Sequence, residues 1–457
     1  MNLHSAPCGV RVVTSSTAAT LPLSQVLPLN AGISAEGHLT LGGCDAVELA
    51  AEFGTPLYVY DAETVRAQCA AYRTAFESEY PDSFVVYGAK AFLNRPFAKL
   101  IAAQGLGFDA VSGGEIEVMQ AAGIDLETVF FHGNNKSPDE LLLASRAGVG
   151  RIVIDNIDEI ALADAAAAEA GRLQPVLLRI SPGVDAHTHE KTTTGIIDTK
   201  FGVPIATGAA ETAVQAIIDA PNLEFRGLHL HLGSPLFDLE PYDYAIEIAG
   251  AFIADICRDK LGVEVAEFSP GGGFAVGYEA DREPPAPQQY AAAIGDALKR
   301  EADSRGFPLP RLTVEPGRAI AARAGVAIYT VGARKEIPGV RTYVSVDGGM
   351  ADNIRPTLYE ASYEAIAAER PLAPAEETVT IAGKYCESGD VLVRDAELPH
   401  LRAGELLAIP ASGAYQLSMA SNYNHAYRPA VVLLDGGEAQ LIRRRETAAD
   451  LMSLDVG

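Results

Sequence analysis

Lys90 closes the apolar, aromatic run Phe84-Val85-Val86-Tyr87-Gly88-Ala89, and a lysine delivered by such a run to the end of a buried strand is a group that could do chemistry. An ammonium at the mouth of an apolar pocket is desolvated, which lowers its pKa and frees an amine for Schiff-base chemistry with a carbonyl. A lysine snorkelling out of a strand end is the plainer alternative. Two other stretches carry anion-binding character: Ser269-Pro270-Gly271-Gly272-Gly273 and Glu315-Pro316-Gly317-Arg318. Consecutive glycines let the backbone approach an anion and point N–H groups at it, and an arginine adds charge-assisted donors. His229 and His231, in His229-Leu230-His231-Leu232-Gly233-Ser234, share one face of a strand. That pair, or His187 with His189, has the look of metal ligands, but no third ligand stands at a convincing spacing, so no metal is expected. The alternative places one imidazole flat against an aromatic cofactor, with Ser234 donating to its phosphate. Asp109, in 108–112, and the stretch His132-Gly133-Asn134-Asn135-Lys136-Ser137 supply polar rim positions; Asn134 and Asn135 read as loop and cap residues.

These groups need elements that bring them together. From Phe84 to about Glu315, short β-rich runs alternate with longer alanine-rich amphipathic stretches, the signature of repeated βα units and a parallel sheet. The runs are 84–87, 106–110, 129–132, 151–155, 176–180, 225–231, 265–268 and 312–315, with helices expected at 96–104, 114–122, 138–147, 157–170, 211–220, 242–260 and 288–305. Eight such units close most simply into a (β/α)8 barrel. Reactive residues then gather at the carboxyl ends of the strands, with a phosphate site often built after strands seven and eight, where the two glycine stretches fall. The connection from Ser181 to about Ala209, containing Asp185-Ala186-His187-Thr188-His189-Glu190 and Thr192-Thr193-Thr194-Gly195, is too long for an ordinary βα loop and reads as a functional lid.

After Gly325 the texture changes to short alternating runs, at 327–331, 342–346, 378–381, 406–409, 430–434 and 439–442, an all-β pattern. The run 56–60 and the segment Gly37-His38-Leu39-Thr40-Leu41 could lend it a strand from the beginning of the chain. The expected division is an arm over 1–45 that partly joins the β domain, a barrel over 46–320 and a β domain over 321–457.

With 457 residues, 48% hydrophobic and 21% charged, the chain is long enough for two domains with sizeable cores. A formal charge of −25 argues against nucleic acid or an anionic membrane as partner. Five scattered cysteines without a CxxC pair indicate neither a disulfide framework nor a zinc ribbon, which suits a reducing cytoplasm. The first thirty residues carry no secretory or transmembrane signal and read as a loose arm.

An imine-forming lysine, an anion cradle, an imidazole on the same rim and a carboxylate at the end of strand eight, Glu315, are what pyridoxal phosphate requires. The pyridine nitrogen must stay protonated to act as an electron sink, and a buried carboxylate keeps it so. With these residues in place, the sequence from about residue 35 onward resembles the diaminopimelate decarboxylases, in the alanine-racemase-like, fold-type III group of pyridoxal-phosphate enzymes. The resemblance implies a Schiff base on Lys90 in Tyr87-Gly88-Ala89-Lys90-Ala91, ring stacking by His231, and phosphate binding by Ser234, Gly271, Gly272, Gly273 and Gly317. It implies pairing of Glu315 with the pyridinium, and Asp109 is taken with the cofactor set. Arg318, together with Arg355 and Tyr359 in Asn353-Ile354-Arg355-Pro356-Thr357-Leu358-Tyr359, matches the group holding a distal substrate carboxylate, for which the arginine fork is suited. Tyr415 in Gly413-Ala414-Tyr415 resembles the tyrosine contacting cofactor and substrate, and Arg318 borders the cofactor as well.

Cys386-Glu387-Ser388-Gly389-Asp390 is similar to the segment that enters the other subunit's active site, implying Cys386 as proton donor, Glu387 as partner of the distal ammonium, and at least a homodimer. From its residue type alone Cys386 would be an inert core cysteine. Three features depart from the family pattern: Phe92 stands where asparagine is usual, Pro235 where glutamine is common, and 425–429 is less basic. The implied reaction takes meso-2,6-diaminopimelate to L-lysine and carbon dioxide. The alternatives are a decarboxylase of another D-amino acid or of a polyamine precursor such as carboxynorspermidine, and a non-catalytic homologue that has lost turnover.

Overall fold

The computed structural model describes residues 21–185 and 198–456, and the chain divides into two compact units. One consists of Gln68–Ala275 and Pro284–Ala319; the other of the chain up to Ala67, Val276–Glu283 and Ile320 onward.

In the first unit eight strands run parallel: β1 (Ser83–Gly88), β2 (Gly107–Ala110), β3 (Val129–Phe131), β4 (Arg151–Ile154), β5 (Gln174–Ser181), β6 (Leu223–His229), β7 (Glu267–Gly271) and β8 (Arg311–Val314). Each pairs with the next, and β8 returns to β1 with Leu312 beside Ser83, so the sheet closes as the sequence predicts. A short strand, Val203–Pro204, adds parallel to β5 outside the ring. The helices between begin at capping residues: Ser112, Ser137 with Glu140 in a capping box, and Asn156. Several end on a glycine in the left-handed region, such as Gly148 and Gly171. Helix Pro138–Ala147 occupies the predicted span, and Glu240–Phe252 continues as a π-helix over Ile253–Arg258.

Alternation along the strands sorts the barrel interior into layers. Tyr87 and Phe108 pack edge-on at 6.3 Å, and Tyr87 also meets Phe97 of the helix Arg95–Ala102, so these point outward. Their neighbours point inward. Near the amino ends Arg151 forms a bidentate pair with Glu267, at 2.5 and 2.8 Å. Above it Val86, Phe130, Val153 and Leu177 form an apolar plug. The next inward positions are Asp109, His132, Arg179, His229, Ser269 and Glu315.

The second unit is a sheet in which Gly325–Ile337 pairs antiparallel with Leu57–Asp61, which in turn runs parallel to Ala430–Asp435. The run 56–60 thus supplies a central strand, and this is why the divide lies at 67/68 and not at the expected 45: residues 46–61 are built into the β unit. Gly32–Ile33, Leu39–Leu41 and Cys44–Asp45 form a separate three-stranded sheet. Leu39, Leu41, Leu57, Val59, Val326, Ile328, Val432 and Leu434 belong to one buried cluster. The long helix Ala62–Glu79 and the strand Val391–Leu398 are elements the sequence reading did not name. The first twenty residues and most of the expected lid, including His187 and His189, lie outside the described residues.

Candidate active site

Strand register sets the rim of the barrel. Gly88 pairs with Asp109, Ala110 with Phe131, Arg179 with His229, and His229 with Ser269. Lys90 sits on a single 3-10 turn, Ala89–Ala91, directly after β1, and its Nζ donates to Asp109 Oδ2 at 2.9 Å. The Asp109 side chain is 1% exposed and that of Lys90 47% exposed. The expectation of a desolvated ammonium in an apolar pocket is therefore corrected: the turn carries Lys90 past the strand end, and a buried carboxylate aims it.

Glu315 follows β8, the strand that pairs with β1. Ser269 Oγ donates to its Oε1 at 3.0 Å; His229 Nε2 stands 3.0 Å from the same oxygen and His132 Nε2 3.6 Å. Burial pushes the Glu315 carboxyl up, but His229, then His132, outweigh it and bring it down to about 2, so the group is ionised at neutral pH. Burial pushes His132 well below its ordinary value, against an upward pull from Glu315. His132, His229 and Glu315 bring three possible ligand atoms within 4.8 Å of one another, so a metal ion is sterically conceivable there.

His231 accepts from the Gly272 N–H through Nδ1 at 3.1 Å, which leaves the ring proton on Nε2. Burial, with the charges of Lys90 and Arg179, pushes this imidazole down to about 3, against a weaker pull from Glu315, and it stays neutral. The three glycines do less anion binding than their spacing suggests. Gly271 N–H donates to Ser269 Oγ at 3.1 Å and Gly272 N–H is taken by His231. Gly273 is left as the one whose N–H has no hydrogen-bond partner among the described residues. A Cβ on Gly272 would strike the Glu315 carbonyl, so that glycine is needed for the close approach of two strand ends. Arg318 Nε donates to Ser234 Oγ at 3.3 Å, joining two of the expected phosphate ligands, and Gly317 packs on Gly88.

Asp109 Oδ1, His132 Nε2 and His229 Nδ1 are buried without a hydrogen-bond partner among the described residues, while His229 Nε2 faces the Glu315 carboxylate. Such atoms are costly unless a polar group meets them. A ring of orphaned polar atoms below an amine, beside a serine and an arginine suited to phosphate, fits pyridoxal phosphate. Sequence reasoning missed Arg179 and left His132 without a role; the available signal for Arg179 was a charge inside the apolar run 176–180.

The β unit holds a second group. Arg355 opens the short helix Arg355–Tyr359 and is 6% exposed. Its Nη1 donates to Tyr278 Oη at 2.9 Å and Tyr363 Oη at 2.6 Å, and its guanidinium lies 5.9 Å from the Tyr415 ring centroid. No carboxylate pairs with it among the described residues. Tyr359 ends the same helix, and Tyr415 takes a left-handed φ of 61°. Cys386 is exposed, contrary to the inert core cysteine that residue type alone suggests, and Tyr423 Oη donates to Glu387 Oε1 at 2.6 Å.

The barrel, with its orphaned rim atoms and strand-end lysine, defines a pyridoxal-dependent decarboxylase: residues 62–322 match the family described as "Pyridoxal-dependent decarboxylase, pyridoxal binding domain". The chain is 45% identical over 420 residues to the diaminopimelate decarboxylase of Bacillus subtilis, covering 92% of this chain and 95% of that one. It is 41% identical over 443 residues to that of Mycobacterium tuberculosis, covering 94% and 98%. The crystal structure of diaminopimelate decarboxylase from M. jannaschii in complex with L-lysine superposes with a TM-score of 0.87 at 34% identity, covering 93% and 98%. The chain belongs to the diaminopimelate decarboxylase family of carboxy-lyases, and its cofactor is pyridoxal phosphate. No helix among the described residues is long and apolar enough to cross a membrane.

Proposed function

We propose that the protein decarboxylates meso-2,6-diaminopimelate at its D centre to L-lysine and carbon dioxide, as a cytoplasmic homodimer with shared active sites. The observation that carries this reading is Arg355, a buried guanidinium held by two phenols with no carboxylate partner among the described residues. A buried cation calls for a counter-charge, and a substrate with a second carboxylate supplies one where a polyamine precursor does not. Arg318, Arg355 and Tyr359 hold that distal carboxylate, and Tyr415 contacts substrate and cofactor.

Pyridoxal phosphate supplies an electron sink for the pair left behind by carbon dioxide. Among the chain's own groups, Lys90 is the amine that holds the cofactor, and Asp109 orients it. Glu315, ionised, would keep the proton on the ring nitrogen, and neutral His231 would stand against the ring. Ser234, Gly273, Gly317 and Arg318 would take the phosphate, with Gly271 and Gly272 shaping the turn beside it. Cys386 returns a proton to the reacting carbon and Glu387 binds the distal ammonium, both in the neighbouring subunit's site.

The test is to incubate pure protein and pyridoxal phosphate with meso-diaminopimelate, and with analogues lacking the second carboxylate, and to assay lysine and carbon dioxide. Release of both from meso-diaminopimelate alone is expected. Equal turnover of an analogue without the distal carboxylate overturns the substrate assignment.

A further inference from the structure

The loop that carries Cys386 and Glu387 is fastened to the segment that leads into Arg355, and one side chain makes most of the attachment. Asp390 is 3% exposed. Its Oδ1 accepts the Met350 N–H at 2.6 Å, five residues before Arg355, and its Oδ2 accepts the Tyr385 N–H at 2.7 Å, next to Cys386. Its backbone closes the same loop: the Gly383 N–H donates to Asp390 O at 3.0 Å, and the Asp390 N–H to Glu387 O at 3.1 Å. The Lys384 N–H donates to Gly348 O at 3.1 Å. Gly349 and Gly383 both lack the Cβ that the Asp390 carboxylate would displace. A second tie comes from the helix itself, where Thr357 Oγ1 donates to Gly389 O at 2.7 Å. A buried carboxylate accepting two backbone N–H groups from different segments holds them in one geometry more firmly than neutral bonds do.

We propose that Asp390 is a positioning residue that links two active sites, fixing the Arg355 segment for its own protomer's site and the Cys386–Glu387 loop for the neighbouring one. This rests on the reading that Arg355 acts in its own site and Cys386 and Glu387 in the other. Asp390 touches none of the reacting groups named above; its effect runs through Met350, Tyr385 and Gly383.

Mixed dimers separate the two effects. The reference pairs a wild-type protomer with a Lys90→Ala protomer, which leaves one competent site. When the Lys90-bearing protomer carries Asp390→Ala, that site keeps an intact Cys386 loop but loses its own Arg355 anchor, and KM rises with little change in kcat. When the Lys90→Ala protomer carries Asp390→Ala, the competent site keeps Arg355 but receives a loosened loop. In that case kcat falls, by up to about 100-fold for an ångström-scale displacement of a proton donor, and its solvent isotope effect grows. Asp390→Asn, which keeps one acceptor oxygen, gives the same split at lower amplitude and serves where the alanine variant does not assemble. The proposal is overturned if either arrangement matches the reference, or if both lower kcat and raise KM alike as a general loss of structure would. A Lys90→Ala and Cys386→Ala pair distinguishes the underlying reading: recovered activity supports shared sites, and none sinks that reading independently of Asp390.

Discussion

The barrel rim and the Arg355 region place reactive groups by different means. On the rim, hydrogen-bonded parallel strands fix where each side chain stands, so that Asp109, His229, Ser269 and Glu315 meet because their strands end together. In the β unit, loops do the placing, and buried acids hold the loops. Asp352 accepts from Tyr329 Oη at 2.5 Å and from the Gly349 N–H at 2.9 Å, and Tyr58 Oη donates to it at 3.2 Å. Asp390 completes the arrangement. Topology makes a rim robust and readable, whereas loops pinned by carboxylates are specific and inconspicuous.

The largest expected effect is at the rim. Lys90→Ala should lower turnover by at least about a thousand-fold, since covalent attachment has no substitute among neighbouring groups; steady-state assay with excess pyridoxal phosphate checks it. Glu315→Gln keeps the shape and removes the charge, and kcat should fall by roughly two to three orders of magnitude, in line with loss of one preorganised electrostatic group. If Glu315→Gln keeps near wild-type kcat, the rim does not work by charge and the contrast with the loops fails.

Arg355→Met tests the other region. It should raise KM for meso-diaminopimelate by about 100-fold, corresponding to about 3 kcal/mol for truncating one partner of a buried charge pair, with retained cofactor absorbance. Equal loss of cofactor binding would place Arg355 in the wrong role.

The smallest effect concerns stability. Burial first, against the bonds from Tyr329, Gly349 and Tyr58, pushes Asp352 up to about 6 from an ordinary value of 3.8. The folded state therefore holds its proton more tightly than the unfolded state between those values. This contribution is present at the acid end of the window and is lost as pH rises through it. Asp352→Asn should narrow the difference between the urea-unfolding free energies at pH 5 and pH 8, by an amount on the order of 1.4 kcal/mol. An unchanged difference would mean the carboxylate is not held as described.

Much of the rim was legible in the sequence because strands announce themselves by β-branched and aromatic runs, and barrel closure then dictates which ends converge. What hid was either weakly contrasted or non-local. The helix Ala62–Glu79 does present a stripe, Ala62, Val65, Cys69, Tyr72 and Phe76, but alanine and cysteine at two of five positions blur it. The strand Val391–Leu398 is interrupted by exposed Arg394 and Asp395, the latter at a φ of 50° in an irregular ladder. The triple glycine gave the right location and the wrong emphasis, because whether an N–H is free depends on the side chains of Ser269, two residues before, and of His231, far away in sequence. Tyr278 and Tyr363 around Arg355 carried no sequence signal, since phenols near an arginine are defined only by the fold.

The most direct test of the central claim is to reduce the protein with borohydride in the presence of pyridoxal phosphate and map the adduct by peptide mass. A rim that brings an amine, an imidazole and an ionised acid to one cofactor predicts a single stable adduct on Lys90, lost in Lys90→Ala. An adduct at another lysine, or one that persists in that variant, contradicts it.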